Sequence, residues 1–230
     1  MPVDPAASRL VSAVLWDLDG TLVDTEPSWI AAEYRLVAAY GGSWSDEHAK
    51  AQVGNPLLVT GEYLREHGGV PLSAARIVEL LLADVLADVR RKVHWRPGVR
   101  RLLAECRRQG LATALVTMSY LELAEAVTDR LPAGSFDVLV TGDQVDRGKP
   151  DPEAYLLAAD RLGVDPARCL VIEDSPTGVA SAEAAGCLVV AVPNQVPIPP
   201  SDTRTIVPDL VSLSLAELIG LALPSTASTR

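Results

Sequence analysis

The sequence predicts an α/β fold in which helices cover both faces of a parallel sheet and a helical segment follows the first strand. Three observations support this prediction. Residues 11–16 are apolar except for Ser12 and lead into Asp17 and a glycine turn, as a buried strand does. Residues 26–94 contain no convincing strand. Beyond residue 97, short apolar runs alternate with helical segments, most of which end at a glycine.

The segment after the first strand is predicted to be entirely helical. Pro27 suits the first turn of a helix, and Glu26 stands near its positive end. Apolar residues at helical spacing predict helices over residues 28–40, 45–53, 57–67 and 73–93. We therefore expect residues 25–94 to form a helical cap domain, inserted into an α/β core domain made of residues 1–24 and 95–230.

The rest of the chain supplies the other strands of the sheet. Strands are predicted over residues 111–117, 136–140, 169–172 and 188–192, with short extended pieces at 206–207 and 210–213. Helices are predicted over residues 99–109, 121–131, 152–162, 176–185 and 215–222. Right-handed crossovers place the carboxyl ends of all strands on one edge of such a Rossmann-like sheet. Side chains that follow the strands should therefore meet at that edge.

The composition narrows the classes of function. The chain has 230 residues, of which 48% are hydrophobic, enough for a substantial core. Its net charge of −10 argues against a nucleic-acid backbone or an anionic membrane surface as a partner. The three dispersed cysteines favour buried thiols over a disulfide set or a zinc cluster. Residues 1–10 lack signal-peptide features and no apolar run spans a membrane, so we expect a cytoplasmic protein.

The first strand ends in the string Asp17-Leu18-Asp19-Gly20-Thr21. Residues two apart on an extended chain point the same way, so Asp17 and Asp19 should face one spot beyond the strand. Two crowded carboxylates repel each other unless a cation or a shared proton offsets them. Gly20 lets the backbone turn away sharply at little steric cost. The alternative is a solvated acidic turn.

A second polar group follows the predicted strand 111–117. The Thr117 hydroxyl stands at the strand end and is followed by Met118 and Ser119. A hydroxyl there, with free backbone N–H groups after it, can hold a phosphate oxygen. A threonine at the end of a strand can equally be structural.

Two further motifs carry a cation and a pair of acids. Lys149 is followed by two prolines that restrict the backbone, a rigid presentation that an anion site requires, although a lone loop lysine is usually solvated. Glu173 and Asp174 directly follow the strand predicted over residues 169–172 and offer the oxygen ligands that Mg²⁺ prefers. Alternatively, Asp174 or Ser175 caps the helix that follows, and both roles are compatible.

Taken together and in this order, the four motifs resemble those of the haloacid dehalogenase-like (HAD) hydrolase superfamily over about residues 10–221. The resemblance is to subfamily I with a type C1 helical cap, and to its sugar-phosphate phosphatases and β-phosphoglucomutase-like proteins. It implies that Asp17 is the nucleophile and Asp19 the general acid/base. It also implies a phosphate-binding hydroxyl on Thr117 and a charge-stabilising role for Lys149.

The same resemblance implies a Mg²⁺ cofactor and a set of substrate contacts. Asp174 would bind the metal directly beside Asp17 and the Asp19 carbonyl oxygen, with Glu173 nearby or bound through water. The substrate-binding positions that it implies are Gly20, Met118, Ser119 and Asn55. On the cap side, further candidates are Trp29, Tyr34, Trp44 and His48, each of which can also be a packing or surface residue.

The resemblance favours a phosphatase over three alternatives, namely a dehalogenase, a mutase and a non-catalytic binding protein. Asp19 favours phosphoryl transfer, because the dehalogenases of the superfamily lack this second aspartate. In β-phosphoglucomutase an arginine follows a glycine in the hinge loop of the cap, whereas the loop from Gly54 to Leu58 has none. A mutase would therefore need its charge from Arg65 or Lys50. The third alternative, a non-catalytic binding protein, would tolerate the loss of catalytic residues that are all present here.

The expected function is thus Mg²⁺-dependent hydrolysis of a small phosphate monoester, such as a sugar phosphate, through an aspartyl-phosphate. The expected partner is a small phosphorylated metabolite, with no nucleic acid and no membrane. The expected oligomeric state is a monomer or a weak homodimer. The sequence leaves open which phosphate ester is the substrate.

Overall fold

A six-stranded parallel sheet forms the centre of the structure, a computed structural model that describes residues 10–223. The strands lie in the order β3-β2-β1-β4-β5-β6, and every neighbouring pair is parallel. They are β1 (Ala13–Trp16), β2 (Ala112–Val116), β3 (Val138–Val140), β4 (Cys169–Glu173), β5 (Leu188–Ala191) and β6 (Thr205–Ile206). The predicted Rossmann-like α/β class is confirmed.

The two faces of the sheet bury alternate residues of each strand, as expected for a parallel sheet covered on both sides. Val14 and Trp16 of β1 face an apolar cluster with α5, α6 and α9, whereas Ala13 and Leu15 face one with α7 and α8. These helices are α5 (Val99–Gln109), α6 (Leu121–Thr128), α7 (Glu153–Leu162), α8 (Pro176–Ala184) and α9 (Leu215–Ala222).

Four helices lie between β1 and α5 and form what we call the helical insert. They are α1 (Glu26–Ala39), α2 (Asp46–Lys50), α3 (Leu57–His67) and α4 (Ala74–Arg91). Helix α4 buries Ile77, Leu81 and Val85 along one face and packs against α1, α3 and the core helix α6. The insert therefore shares an apolar cluster with the sheet. The predicted domain limits, 25–94 for the cap and 1–24 with 95–230 for the core, stay a prediction.

The register of the central strands brings three strand ends together. Trp16, the last residue of β1, pairs with Leu115 of β2 on one side and Ile172 of β4 on the other. The Asp17 backbone N–H extends this pattern and donates to the Ile172 carbonyl oxygen at 3.1 Å. The side chains that follow β1, β2 and β4 consequently share one edge of the sheet, as the sequence predicted.

One predicted strand is absent from residues 10–223, and α2, α4 and α6 end earlier than predicted, α2 at Lys50 and α4 at Arg91. Residues 210–213 are not a strand, because the Arg101 guanidinium binds the carbonyl oxygens of Leu210, Val211 and Leu213 at 3.1, 3.3 and 2.7 Å in place of a sheet partner. Helix α6 ends at Thr128 and not at residue 131.

Two expectations from the composition can be checked against the structure. All three cysteines are buried and unpaired. Among residues 10–223, no helix is long and apolar enough to cross a membrane. Residues 1–9, to which most of the signal-peptide expectation applies, lie outside the described part of the chain.

Candidate active site

Lys149 is the buried cation at the centre of the site. Its ammonium donates to Asp17 Oδ1 at 2.8 Å, to Glu173 Oε1 at 2.6 Å and to the Val116 carbonyl oxygen at 3.0 Å. The residue is only 2% exposed. Burial lowers the pKa of Lys149, but the carboxylates of Asp17 and Glu173 more than offset this, and the net shift is upward. Lys149 therefore stays charged and holds the two acids together.

Glu173 is fully buried, and both of its carboxylate oxygens are occupied by the protein. Oε1 accepts from Lys149 and from the Tyr155 hydroxyl at 3.0 Å. Oε2 accepts from the Asp174 N–H at 2.9 Å, and from the Ser175 N–H and hydroxyl at 3.1 Å each. This arrangement supports a positioning role close to the metal candidates, and its predicted contact with a metal through water stays a prediction.

Asp17 and Asp174 each retain a buried carboxylate oxygen without a hydrogen-bond partner within the described part of the chain, in both cases Oδ2. The other oxygen of Asp174 accepts from the Thr21 hydroxyl at 3.0 Å. Single oxygens of Asp17, Glu173 and Asp174 lie within 4.8 Å of one another. Three converging carboxylates with two free oxygens fit a hard divalent cation such as Mg²⁺.

The pKa values of Asp17 and Asp174 indicate that the three carboxylates need more positive charge than Lys149 supplies. Burial and the neighbouring Glu173 carboxylate raise the pKa of Asp17 to about 8. Burial and the Asp17 carboxylate likewise raise the pKa of Asp174 well above its usual range. A cation bound between them would favour the ionised forms of both.

Gly20 lies against Asp174 and not in the cleft. Its φ is +90°, and a Cβ there would come within 2.1 Å of Asp174 Oδ2. Its N–H donates to the Val23 carbonyl oxygen at 2.8 Å, so it closes the turn after Asp19. The structure thus supports the predicted turn. Gly20 is not among the described residues that line the cleft, and its predicted contact with the substrate stays a prediction.

Asp19 accepts hydrogen bonds from four side chains. The Thr25 hydroxyl and the Trp29 indole N–H donate to Oδ1 at 2.5 and 3.1 Å. The hydroxyls of Thr117 and Ser119 donate to Oδ2 at 3.1 and 2.7 Å. Two donors come from the start of the helical insert and two from the end of β2, so Asp19 connects both walls of the site.

A cleft of about 60 Å³ opens beside these groups, between the sheet edge and the helical insert. The core wall contains the predicted residues Asp17, Asp19, Thr117, Met118, Ser119 and Lys149. The insert wall contains two of the predicted cap residues, Trp29 and Asn55. A Cβ on Gly54, whose φ is +77°, would come within 2.8 Å of Ser175 Oγ, so the loop from Gly54 lies directly on the core.

Two glutamates of the insert wall were not identified as site residues from the sequence. Glu26 and Glu33 are both buried and line the cleft. Burial, with the Asp19 carboxylate, raises the pKa of Glu26 to about 8, and burial raises that of Glu33 to about 7. Together with Trp29, they occupy one face of α1 at helical spacing, a signal that could have revealed them.

Five other predicted cap candidates lie outside the cleft. Tyr34 donates to Asp46, and Trp44 donates to Glu33 and packs edge-on against His48. Neither of the two cations proposed for a mutase, Lys50 and Arg65, lines the cleft, and Arg65 is paired with Glu62.

A model of the haloacid dehalogenase-like hydrolase family matches residues 11–186. Hexitol phosphatase B of Escherichia coli is 33% identical over 91% of this chain and 95% of its own length. A phosphorylated carbohydrates phosphatase of Thermotoga maritima is 35% identical over 76% of this chain and 82% of its own. The crystal structure of a CbbY mutant from Rhodobacter sphaeroides with xylulose-1,5-bisphosphate covers 90% of this chain and 99% of its own, with a TM-score of 0.78 and 28% identity.

The order of the motifs, their convergence at one sheet edge and these matches lead to the same result. The chain belongs to the haloacid dehalogenase-like hydrolase family.

Proposed function

We propose that this protein is a Mg²⁺-dependent phosphatase that hydrolyses a small phosphate monoester through an aspartyl-phosphate on Asp17. The observation that carries the proposal is the state of the Asp17 carboxylate. One oxygen is held by the buried Lys149 ammonium, the other is without a partner among residues 10–223 and available to the metal, and the residue lines the cleft. A carboxylate positioned in this way suits nucleophilic attack on an anionic phosphate ester.

The chain is an enzyme of the phosphoric monoester hydrolase class, consistent with its family and with relatives named as phosphatases. A non-catalytic binding protein on the same scaffold would have no need of the buried Lys149 and Asp17 pair. A buried ion pair of this kind carries a desolvation cost that two well-packed hydrophobic side chains would avoid. The presence of Lys149 and Asp17 at this position therefore favours a catalytic role for the pair.

Asp17 is proposed to attack phosphorus and form an oxygen–phosphorus bond while the bond to the leaving oxygen breaks. Asp19 then gives its proton to that oxygen, which leaves as an alcohol. In the second step Asp19 takes a proton from water, whose oxygen attacks phosphorus and releases Asp17 as a carboxylate. Lys149 neutralises part of the negative charge that builds up in both steps.

Asp17, Asp174 and the Asp19 carbonyl oxygen are the proposed metal ligands. When bound, Mg²⁺ would offset the repulsion between the phosphoryl oxygens and the carboxylates. Thr117 and Ser119 would exchange their hydrogen bonds to Asp19 for bonds to a phosphoryl oxygen, a change that also releases Asp19 for proton transfer. The insert wall would shield the reacting atoms from bulk water.

The charges of the cleft favour water over a second sugar phosphate as the acceptor. Among the described residues that line it, Lys149 is the only cation, and it is already paired with two acids. A mutase has to hold the distal phosphate of a bisphosphate, which calls for a further cationic contact. The insert wall instead presents Glu26 and Glu33.

The proposal is tested with a hexose 1-phosphate and Mg²⁺, with and without a trace of the corresponding 1,6-bisphosphate. Both free phosphate and the 6-phosphate isomer are measured. We expect release of free phosphate and no dependence on the bisphosphate. Efficient formation of the 6-phosphate with little free phosphate would overturn the phosphatase assignment in favour of a mutase.

A further inference from the structure

The positive charge of this chain is concentrated in residues 90–108, which we call the basic segment. It covers 19 of the 230 residues but holds eight of the 20 Lys and Arg residues, with Glu105 as its one acid, so that its net charge is +7. The other residues contain 12 bases and 29 acids, a net charge of −17. Positive charge collected in this way on an acidic chain indicates a surface that binds an anion.

The structure places these cations at the surface and away from the active site. The basic segment comprises the end of α4, the connection to the core and most of α5, and all of its cations are exposed except the half-buried Arg96. Helix α5 buries its apolar residues, so its arginines lie on the outward face, along a helix of 11 residues that is about 16 Å long. Among the described residues that line the cleft, none belongs to the basic segment.

Most of these cations have no acid to balance them. Among residues 10–223, only Arg91 and Arg101 of the basic segment form ion pairs, with Asp88 and Glu105. Elsewhere in the described chain, at least six of the ten Lys and Arg residues are paired. Within the same residues, the cations without an acidic partner are Arg90, Lys92, Arg96, Arg100, Arg107 and Arg108. Their charge is available to a partner molecule.

Two arginines of the basic segment are held in place by the protein itself. The Arg100 guanidinium lies over the Trp95 ring, 5.8 Å from its centroid. The Arg101 guanidinium binds Glu105 and the three carbonyl oxygens of the loop before α9. Side chains that are already fixed lose less conformational freedom when a partner binds. Seven of the eight cations are arginines, whose planar guanidinium suits paired contacts with a carboxylate.

The surroundings of the basic segment favour a short anionic partner over a long one. The acids that share a surface depression with Arg90 are Glu122, Glu125 and Asp129. A nucleic acid or an anionic membrane would extend over these acids and over a remainder that carries a charge of −17, and like charges repel. A short acidic segment over α5 is shielded from more distant acids, because the screening length at physiological salt is about 8 Å.

We infer that the basic segment is a docking surface for a short segment of a partner protein that is rich in Asp and Glu. Exposed arginines without acidic partners supply the charge, and the acidic surroundings limit the length of the segment. The surface lies outside the cleft, so the inference does not depend on the proposed function. Because the basic segment joins α4 of the insert to α5 of the core, a bound partner would contact both.

The test measures the binding of a labelled decaglutamate peptide by fluorescence anisotropy at physiological salt. The triple variant on α5 combines Arg100→Gln, Arg107→Gln and Arg108→Gln, and glutamine preserves the helix propensity. The matched control removes the same charge from exposed positions of the insert, with Arg35→Gln, Arg65→Gln and Arg76→Gln. A double variant, Arg90→Gln with Lys92→Gln, tests the end at α4 independently. A single-stranded RNA decamer and vesicles that contain phosphatidylserine are the competing probes.

We expect the wild type to bind the peptide saturably, and to bind it more weakly as the salt concentration rises. The triple variant should bind at least about 10-fold more weakly and the double variant at least about 3-fold, because each loses several ion pairs with the peptide. The control should stay within about 2-fold of the wild type. Phosphate release should be the same in the wild type and in the triple and double variants, since the residues replaced in these two variants are not among those described as lining the cleft.

Three results would overturn the inference and leave the proposed function intact. One is the absence of saturable peptide binding by the wild type, including the case in which the wild type associates with itself through these arginines instead. Another is an equal loss in the triple variant and the control, which would mean that net charge alone decides binding. The third is tighter binding of the RNA or the vesicles than of the peptide. Absence of phosphate release by the wild type, with peptide binding as expected, would overturn the proposed function alone.

Discussion

Replacement of Lys149 by methionine should be one of the most destabilising single changes in the core. The side chain keeps a similar length and apolar stem, but the ammonium and its three hydrogen bonds are lost. Among the donors of residues 10–223, none then remains for Asp17 Oδ1, and Glu173 Oε1 keeps the Tyr155 hydroxyl. Removal of one partner from a buried ion pair typically costs about 3–5 kcal/mol, because the other charge is left uncompensated.

A cation in the same loop provides the control. Arg147 pairs with Asp151 and Glu153, but its side chain is 71% exposed. Exposed ion pairs of this kind contribute at most about 1 kcal/mol. Arg147→Met removes the same charge from the same loop without uncovering a buried carboxylate, so we expect it to be nearly neutral.

The two variants are compared by urea unfolding in the presence of a chelator, followed by tryptophan fluorescence. Lys149→Met should lower the midpoint strongly with an unchanged slope, and Arg147→Met should leave the midpoint nearly unchanged. The reasoning is refuted if Lys149→Met costs less than about 1 kcal/mol. That result would mean that the ammonium does not balance the buried carboxylates.

Three further predictions concern the metal, Asp19 and Glu33. A chelator should abolish phosphate release, and Ca²⁺ should restore it poorly since it takes more ligands at longer distances; undiminished turnover with excess chelator would contradict the metal assignment. Asp19→Asn should retain phosphate binding and lower kcat by about 10²–10⁴-fold, as measured by steady-state kinetics, and a normal kcat would remove Asp19 as the acid/base. Burial raises the pKa of Glu33 to about 7, so the folded state loses stability as pH rises from about 4.5 to 7. Glu33→Gln should therefore be more stable than the wild type at pH 8, by up to about 3 kcal/mol in urea unfolding, with no gain near pH 4, and a constant difference at both pH values would contradict this.

The core of the candidate site could be predicted from the sequence because each residue follows a strand. Once β1, β2 and β4 are recognised as parallel neighbours, Asp17, Thr117 and Asp174 must share one edge of the sheet. Lys149 could be predicted from its restricted loop, although not its full burial among Asp17, Glu173 and a carbonyl group.

The insert wall of the cleft could not be predicted in the same way. Its residues depend on which face of α1 turns toward the sheet edge, and that is decided by the packing of α1 on α4 and the core. The sequence marked Glu26 only as a helix start and did not distinguish Glu33 from surface acids. The predicted strand at 210–213 failed for a similar reason, since the side chain of Arg101 satisfies those carbonyl groups from elsewhere in the chain.

The most direct test of the central claim is to trap the phosphorylated carboxylate. The enzyme is mixed with Mg²⁺ and a ³²P-labelled ester, quenched in acid during turnover and reduced with borohydride, which converts an aspartyl-phosphate to homoserine. Peptide mass spectrometry then locates the homoserine. The account predicts that it appears at position 17 and that Asp17→Asn gives neither label nor turnover. Near-full turnover by Asp17→Asn, or homoserine at the position of another aspartate, would contradict the account.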